Sequence, residues 1–219
     1  MTRRALGLLA LSWLCAAATA TPAAAAATAT PAAAAAAAPA AAPAAAPAAG
    51  PSDLDAVMAL LAMRQHGRVE FVEQHFLAIL DHPLESSGEL RYDAPDRLEK
   101  RTLLPRAETL VLAGGVLTME RAARRRVVDL HRYPQIQPFV ESIRATLAGD
   151  RSALERNFHL EFAGSVARWS LTLAPLNPKM ARIVLQVKID GSRDQLLHVE
   201  IRQADGDRSL MTLRAPASP

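Results

Sequence analysis

The chain has 219 residues, of which 21% are charged and 4% are aromatic, and its formal net charge is only +3. Proteins that bind nucleic acid usually carry a basic stripe with interleaved aromatic side chains, whereas the only run of cations here is Arg124-Arg125-Arg126. These arginines enter a predicted strand at residues 127–130, so the run is typical of a solvated strand edge or hairpin end. Composition and charge therefore argue against a nucleic-acid partner.

The first twenty residues have the three parts of a secretory signal peptide. Arg3 and Arg4 form a short positive region, residues 5–14 an apolar region, and residues 18–20 (Ala-Thr-Ala) a small-residue cleavage site. The apolar region is shorter than a membrane span requires. We expect residues 1–20 to be cleaved on export and the mature protein to be periplasmic.

The single cysteine, Cys15, lies inside this signal segment. Cleavage after Ala20 would leave a mature chain without cysteine, which excludes disulfides and thiol chemistry. The alternative is a lipid-anchored form in which Cys15 carries the lipid, but Leu14 occupies the preceding position, where a small residue is expected.

Residues 21–51 form a predicted linker that is nearly pure alanine and proline and carries no charge. Pro39, Pro43, Pro47 and Pro51 recur every four residues, which favours an extended, semi-rigid backbone. At about 3.1 Å per residue the segment could reach on the order of 90 Å. Both a spacer through the cell envelope and alanine-rich drift in a GC-rich genome remain open interpretations.

The remaining residues, 52–219, are enough for one domain with a sizeable core. A first helix is predicted at its start, where Ser52 is a good cap and Asp55 stands three residues on. One face of this helix is apolar and contains Leu54, Val57, Met58 and Leu61. A second helix is predicted at residues 136–148 from Phe139, Ile143 and Leu147, which recur at a spacing of four, and Gly149 supplies its end.

Elsewhere the apolar period is two, which predicts strands. Alternation is clearest at Trp169, Leu171 and Leu173, at Ile183, Leu185, Val187 and Ile189, and at Leu197, Val199 and Ile201. Turn signals at Gly114-Gly115, Asp190-Gly191 and Asp205-Gly206 separate the strands. Short loops between strands with one apolar face predict an α+β fold, an antiparallel sheet with helices on one side. Residues 68–80 are ambiguous, since Val69, Val72, Phe76 and Ile79 also fit a helix, and the pattern alone favours the helix.

Several short motifs occur in an order that resembles the periplasmic outer-membrane lipoprotein carrier (LolA) family, and its LolA-related branch most closely. After the signal peptide and first helix come FVEQHF, SSGELRYDAP, a hairpin around LVLAGGVLTME, a Tyr-Pro before the second helix, and a tail ending in HVEIRQADGDRSLMTL. The resemblance covers residues 53 to about 213.

The resemblance implies an unclosed half-barrel, a strongly curved antiparallel sheet whose apolar cavity is covered by helices acting as a lid. On this basis residues 68–80 become mainly the first strand. We place twelve residues on the cavity face: Phe71, Leu90, Tyr92, Leu98, Leu110, Leu112, Leu117, Trp169, Leu171, Leu173, Val199 and Ile201. We assign five residues to the lid: Leu54, Met58, Leu61, Phe139 and Ile143. Any one of these residues, taken alone, is better explained as ordinary core than as a cargo contact, and only the set as a whole, lining an unfilled space, would indicate function.

This sequence departs from the family at one dipeptide. In the lipoprotein carriers the second strand ends in Arg-Pro, and that arginine helps to hold the lid, whereas the matching residues here are Ala94-Pro95. Arg91 and Arg97 are nearby, but they occupy different alternation positions and do not inherit the role. Lipoprotein is therefore one candidate cargo, and other lipid-like molecules such as polyene pigments are another.

The resemblance implies a monomeric periplasmic carrier that takes an acylated lipoprotein or other lipid-like cargo from an inner-membrane exporter to an outer-membrane acceptor. The alternative is a non-catalytic interaction module of the envelope with a filled core. An apolar cavity would separate the two, because the carrier needs one and the module does not.

No motif predicts an enzyme, a metal site or a cofactor. The six histidines lack a ligand spacing such as H-x-x-x-H, and there is no G-x-S-x-G elbow. Asp205 and Asp207 flank Gly206 and are best explained by a tight turn. Glu70 and Glu73 would point to opposite faces of a strand, and we expect both to face solvent. We assign no catalytic residue.

Overall fold

The computed structural model describes residues 51–133 and 137–216. The predicted signal peptide, Cys15, Ile136 and all of the predicted linker before Pro51 lie outside the described residues.

Eleven antiparallel strands form one sheet, in the order β6-β5-β4-β3-β2-β1-β11-β10-β9-β8-β7. Their bounds are β1 His66–Phe76, β2 Leu84–Asp93, β3 Arg97–Leu104, β4 Glu108–Ala113, β5 Val116–Arg121, β6 Arg124–Asp129, β7 Phe158–Ser165, β8 Arg168–Pro175, β9 Val184–Ser192, β10 Gln195–Gln203 and β11 Arg208–Arg214. The edge strands β6 and β7 do not pair with each other in the part of the chain described, so the sheet stays open. The predicted α+β half-barrel is confirmed.

Four α-helices and one short 3-10 helix accompany the sheet within the described residues. They are α1 Pro51–Ala62, the 3-10 helix Leu130–Arg132, α2 Gln137–Leu147, α3 Arg151–Glu155 and α4 Pro178–Ala181. None of those described helices is long and apolar enough to cross a membrane.

The first helix begins two residues earlier than a cap at Ser52 predicts. Because α1 starts at Pro51, Ser52 lies inside its first turn, and the predicted cap position is wrong. Asp55 instead accepts a hydrogen bond from Nη1 of Arg151 at 2.6 Å, which ties α1 to α3. The apolar face of α1 is buried as expected, with Val57 and Leu61 almost fully inaccessible.

The ambiguous segment 68–80 is a strand up to Phe76, so the helix that the pattern alone favours is wrong. Its residues pair with β2 on one side and β11 on the other, for example Phe71 with Gly88 and with Leu213. Backbone partners on both sides fix the extended conformation, and they outweigh a helical spacing of Val72, Phe76 and Ile79. Residues 77–80 fall in the loop that follows.

Two of the three predicted turns are confirmed, and one is wrong. Gly114-Gly115 joins β4 to β5 with positive φ at both residues, and Asp205-Gly206 lies between β10 and β11. Asp190-Gly191 instead lies inside β9, and the chain turns at residues 193–194. A Cβ at position 191 would stand 2.2 Å from Cζ2 of Trp169, so this glycine allows the indole to pack closely against the strand.

Residues on the concave face of the sheet are mostly apolar and form one continuous core with the helices. The strand register places apolar residues of this face beside one another on neighbouring strands, as in the pairs Leu98 with Leu112 and Ile201 with Val187. In β9 a bulge at Leu185 breaks the predicted alternation, so Val184 is buried and Leu185 is exposed. The predicted solvent exposure of Arg124, Arg125 and Arg126 on edge strand β6 is confirmed.

Candidate functional site

A cavity of about 580 Å³ lies between the concave face of the sheet and helix α2. Its volume falls within the range of about 300–1,000 Å³ that is usual for small-molecule sites. The strands that contribute to it are β1, β2, β3, β9, β10 and β11. Its large apolar lining residues are Val69, Leu90, Tyr92, Leu98, Ile143, Leu147, Val187, Ile189, Leu196, Leu197, Val199, Ile201, Met211 and Leu213.

Helix α2 covers the cavity with both apolar and hydroxyl side chains from residues 142–147. Ile143 and Leu147 present apolar side chains, and Ser142 and Thr146 present hydroxyls. Both hydroxyls are satisfied within the helix, because Ser142 donates to the carbonyl of Phe139 at 2.6 Å and Thr146 donates to the carbonyl of Ser142 at 2.8 Å. With their protons engaged locally, these two side chains present little directional polarity to the cavity.

The cavity reaches the surface at the end of the sheet where β1 and β10 begin and β11 ends. Gln195, Ala215 and Pro216 are exposed lining residues there. Arg64, in the connection after α1, also lines this opening, and its guanidinium donates to the carbonyl of Asp194 at 3.1 Å and lies 3.6 Å from the Asp194 carboxylate. Arg64 thus connects the α1 side of the opening to the β9–β10 turn.

A buried ion pair lies at the inner end of the cavity. Lys100, which lines the cavity, places Nζ 2.5 Å from Oε2 of Glu73, whose side chain is only 1% exposed. Glu73 also accepts hydrogen bonds from the hydroxyls of Ser209 at 2.9 Å and Ser86 at 3.3 Å. The ammonium of Lys100 lies 4.9 Å from the ring centroid of Phe71. Each charge is therefore compensated without contact with bulk water.

His75 completes this buried cluster, with Nε2 3.2 Å from Oε2 of Glu73. Burial lowers the pKa of His75, the Glu73 carboxylate acts against that shift, and the positive charge of Lys100 adds to it. The expectation that Glu73 faces solvent is wrong, although Glu70 and Glu73 do point to opposite faces. Pairing with Lys100 and two hydroxyls is what allows a carboxylate to be buried at this position.

The cavity brings together five of the twelve residues predicted for the cavity face: Leu90, Tyr92, Leu98, Val199 and Ile201. The other seven are buried in the core around the cavity rather than along its wall: Phe71, Leu110, Leu112, Leu117, Trp169, Leu171 and Leu173. Leu110, Leu112 and Leu117 lie toward the β5 side of the sheet, and Trp169, Leu171 and Leu173 lie on β8. Their contact with a cargo stays a prediction for all twelve.

Of the five predicted lid residues, Ile143 lines the cavity. Leu54, Met58 and Leu61 on α1 and Phe139 on α2 are buried in the core, each less than a tenth exposed. Ser142 and Thr146 were not predicted to line the cavity, because apolar periodicity does not mark hydroxyl residues. Met211 and Leu213 were not predicted either, although alternation along residues 209–213 was an available signal.

Arg144 on α2 reaches the strand end where this sequence has Ala94-Pro95. Its guanidinium pairs with Glu141 on the same helix, and Nη1 donates to the carbonyl of Pro95 at 3.4 Å. The hydrogen bond to Glu141 raises the pKa of Arg144. A contact between the covering helix and the end of β2 therefore exists here, with its arginine on the helix rather than on the strand.

Within residues 51–133 and 137–216, no cluster of three or more His, Cys, Asp or Glu side chains is placed to hold a metal ion. Asp205 and Asp207 accept backbone hydrogen bonds in the β10–β11 turn and from the adjacent β1–β2 loop. Asp205 accepts from the amide of Asp207 at 3.1 Å, and Asp207 accepts from the amide of Ala78 at 2.9 Å. Their prediction as turn residues is confirmed.

A family model described as outer membrane lipoprotein carrier protein LolA-like matches residues 40–218. Among curated proteins no sequence matches the chain significantly.

Solved structures that resemble the chain do so at low identity. A LolA superfamily protein from Nitrosomonas europaea is 10% identical, with a TM-score of 0.40 over 77% of this chain and 94% of that chain. A DUF1329 family protein from Desulfovibrio piger is 11% identical, with a TM-score of 0.41 over 76% of this chain and 92% of that one. A chain of the Pseudomonas aeruginosa MucA/MucB complex is 16% identical, with a TM-score of 0.40, and the match spans 76% of this chain and 59% of that chain.

Proposed function

Because the chain belongs to the outer-membrane lipoprotein carrier (LolA-like) family, we propose that it is a periplasmic carrier that shields the acyl chains of a lipoprotein or lipid-like cargo in its cavity. It ferries that cargo from an inner-membrane donor to an outer-membrane acceptor. Proteins of this family are periplasmic and are generally non-catalytic carriers.

The apolar cavity of about 580 Å³ is the single observation that supports the proposal most strongly. An acyl chain of about fifteen methylenes gains roughly 12 kcal/mol on leaving water, at about 0.8 kcal/mol per CH₂. Such a chain does not cross an aqueous compartment unshielded. A portable cavity with an apolar wall removes that barrier.

The chemistry of the wall also suits a cargo that has to be released. Ser142 and Thr146 are satisfied by their own helix, and Lys100 is neutralised by Glu73. No strong, directional bond to the cargo is then required, and the affinity depends mainly on the buried apolar area. An interaction module with a filled core, the alternative considered from the sequence, would leave this cavity unexplained.

Cargo binding can be tested by filling the cavity from one position of β1. Val69 lines the cavity, whereas Val72 is exposed on the opposite face of the same strand. We expect Val69→Trp to weaken the binding of cis-parinaric acid, a fatty acid whose fluorescence rises in apolar surroundings, by about tenfold or more, because the indole occupies the space of the chain. Val72→Trp, the matched control, should bind within about twofold of the unchanged protein.

The folded state of both variants is checked by circular dichroism before titration. Equal affinity of folded Val69→Trp and Val72→Trp would show that the fatty acid does not enter this cavity, and the carrier proposal would lose its main support. The same titration with a diacylated lipopeptide tests whether lipoprotein acyl chains use the same space.

A further inference from the structure

One end of the sheet collects five loops, which we call the loop rim: residues 77–83, 105–107, 122–123, 176–183 and 204–207. They connect β1 to β2, β3 to β4, β5 to β6, β8 to β9 and β10 to β11. Since neighbouring strands are antiparallel in the observed order, these connections fall at the same end. The cavity opens at the other end, beside Gln195 and Pro216.

Exposed aliphatic side chains are concentrated on or next to the loop rim. Of the nine exposed large hydrophobic residues in the part of the chain described, six lie there: Ile79, Leu80, Leu103, Leu104, Leu176 and Leu185. Ile79 is the most exposed, at 89%. Isolated exposed leucines are ordinary, but their concentration at one end marks a contact surface.

Arginines surround the β3–β6 part of the loop rim. Arg101, Arg121, Arg124 and Arg125 line a surface depression of about 440 Å³, where the carboxylates are Glu108 and Glu120. Arg125 lies 3.5 Å from Glu120, while no ion pair within the described residues engages Arg124 or the neighbouring Arg106. This part of the rim therefore has an excess of positive charge next to the exposed Leu103 and Leu104.

We propose that the loop rim docks on an anionic phospholipid bilayer, with its aliphatic side chains at headgroup depth and its arginines against lipid phosphates. Basic residues next to inserting apolar side chains are the combination by which peripheral proteins bind anionic membranes. The aliphatic residues lie on separate loops along the arc of the sheet, an arrangement that suits a broad, deformable surface. An acidic protein would match the arginines but not this distributed set of leucines and isoleucine.

This docking surface is independent of the cavity and of its cargo. Because the opening beside Arg64 lies at the opposite end, a docked molecule keeps that opening away from the bilayer and accessible to a partner. The two ends of the molecule can therefore be tested separately, and failure of one does not imply failure of the other.

The first test is sedimentation with vesicles, using the chain recovered from a bacterial host with its N-terminus established by intact mass. We expect binding to vesicles of 30% phosphatidylglycerol in phosphatidylcholine and little binding to phosphatidylcholine alone. Arg124→Gln with Arg125→Gln should weaken binding by about 30-fold, which corresponds to about 1 kcal/mol per arginine near an anionic surface. Salt at 0.5 M should weaken binding of the unchanged chain by screening.

The matched control is Arg97→Gln with Arg168→Gln, which removes the same charge at the other end of the sheet. Arg97 pairs with Glu99 at 3.1 Å, as Arg125 pairs with Glu120, and Arg168 is exposed like Arg124. The aliphatic contribution is tested with two double variants, and their vesicle binding is compared. Ile79→Ser with Leu104→Ser changes the loop rim, and Met63→Ser with Val72→Ser, the control, changes exposed apolar residues elsewhere. Equal losses in a rim pair and its control, or equal binding to both vesicle types, would overturn the proposal.

Hydrogen exchange locates the contact without any substitution. With phosphatidylglycerol vesicles we expect slower exchange in residues 77–83, 105–107 and 122–123 and unchanged exchange in residues 114–115 and 193–194. Protection confined to the cavity end, or protection by an acidic protein and none by vesicles, would contradict bilayer docking at the rim.

Discussion

Glu73 and Lys100 form a charged pair at the inner end of a mostly apolar cavity. Their side chains are 1% and 5% exposed, and each is needed to keep the other buried. Removing one partner of such a pair leaves an uncompensated buried charge, whereas replacing both with apolar groups can be neutral. The pair therefore acts as a single unit in the stability of the concave face.

We expect Lys100→Met to lower the free energy of unfolding by about 3–5 kcal/mol, because Glu73 then lacks its cation. Urea unfolding at pH 8 is the suitable measurement, since burial lowers the pKa of His75 and the imidazole is neutral there. Glu73→Leu combined with Lys100→Met should recover most of the loss. A double variant that is less stable than Lys100→Met alone would show that the two charges are not coupled.

The burial of Glu73 was partly predictable from the sequence. Phe71 is assigned to the concave face, and a period of two then places Glu73 and His75 on the same face. What a single strand does not show is the compensating cation, because Lys100 lies on β3 and reaches Glu73 on β1 across the one intervening strand, β2. Solvent exposure was therefore the wrong prediction for a carboxylate whose partner is distant in sequence.

At the scale of elements, the junction of α1 and α2 depends on Gly149. This glycine ends α2 with φ of +63°, where the amides of Gly149 and Asp150 bond the carbonyls of Thr146 and Ala145 at 3.1 and 2.8 Å. A Cβ at position 149 would stand 2.1 Å from the carbonyl oxygen of Met58 on α1. Both the left-handed backbone at the end of α2 and the close contact with α1 therefore require glycine at position 149.

Gly149→Ala is expected to destabilise the protein more than Gly114→Ala, by at least about 1 kcal/mol. Both positions are left-handed, a conformation that costs a residue with a Cβ about 1–2 kcal/mol, but Gly114 has open space where its Cβ would stand. Thermal unfolding of the two variants separates the shared conformational cost from the clash with α1. Equal midpoints would mean that α1 can move away without loss.

Elements with one strong periodicity were predictable, and those decided by a distant partner were not. The alternation at Trp169, Leu171 and Leu173 predicts β8 directly. Residues 68–76 carry both periods, and only pairing with β2 and β11 decides between them. The bulge at Leu185 and the turn at residues 193–194 depend on register between β9 and β10, which the local sequence does not specify.

At the scale of the whole molecule, the two ends of the sheet differ in character. One end holds the cavity opening with Arg64, Asp194 and Pro216, and the other holds the loop rim with its arginines and exposed aliphatic side chains. The half-barrel follows from strand patterns together with the family resemblance, which also implies an apolar cavity. The residues that form the cavity wall do not follow, because the distance of α2 from the sheet depends on packing among six strands.

The most direct measurement of the carrier function is native mass spectrometry of the chain purified from a Gram-negative periplasm, followed by organic extraction. We predict an added mass from a bound lipid, lipopeptide or polyene ester, which extraction releases and identifies. An apo mass that stays unchanged after incubation with lipids and lipopeptides would contradict the carrier function.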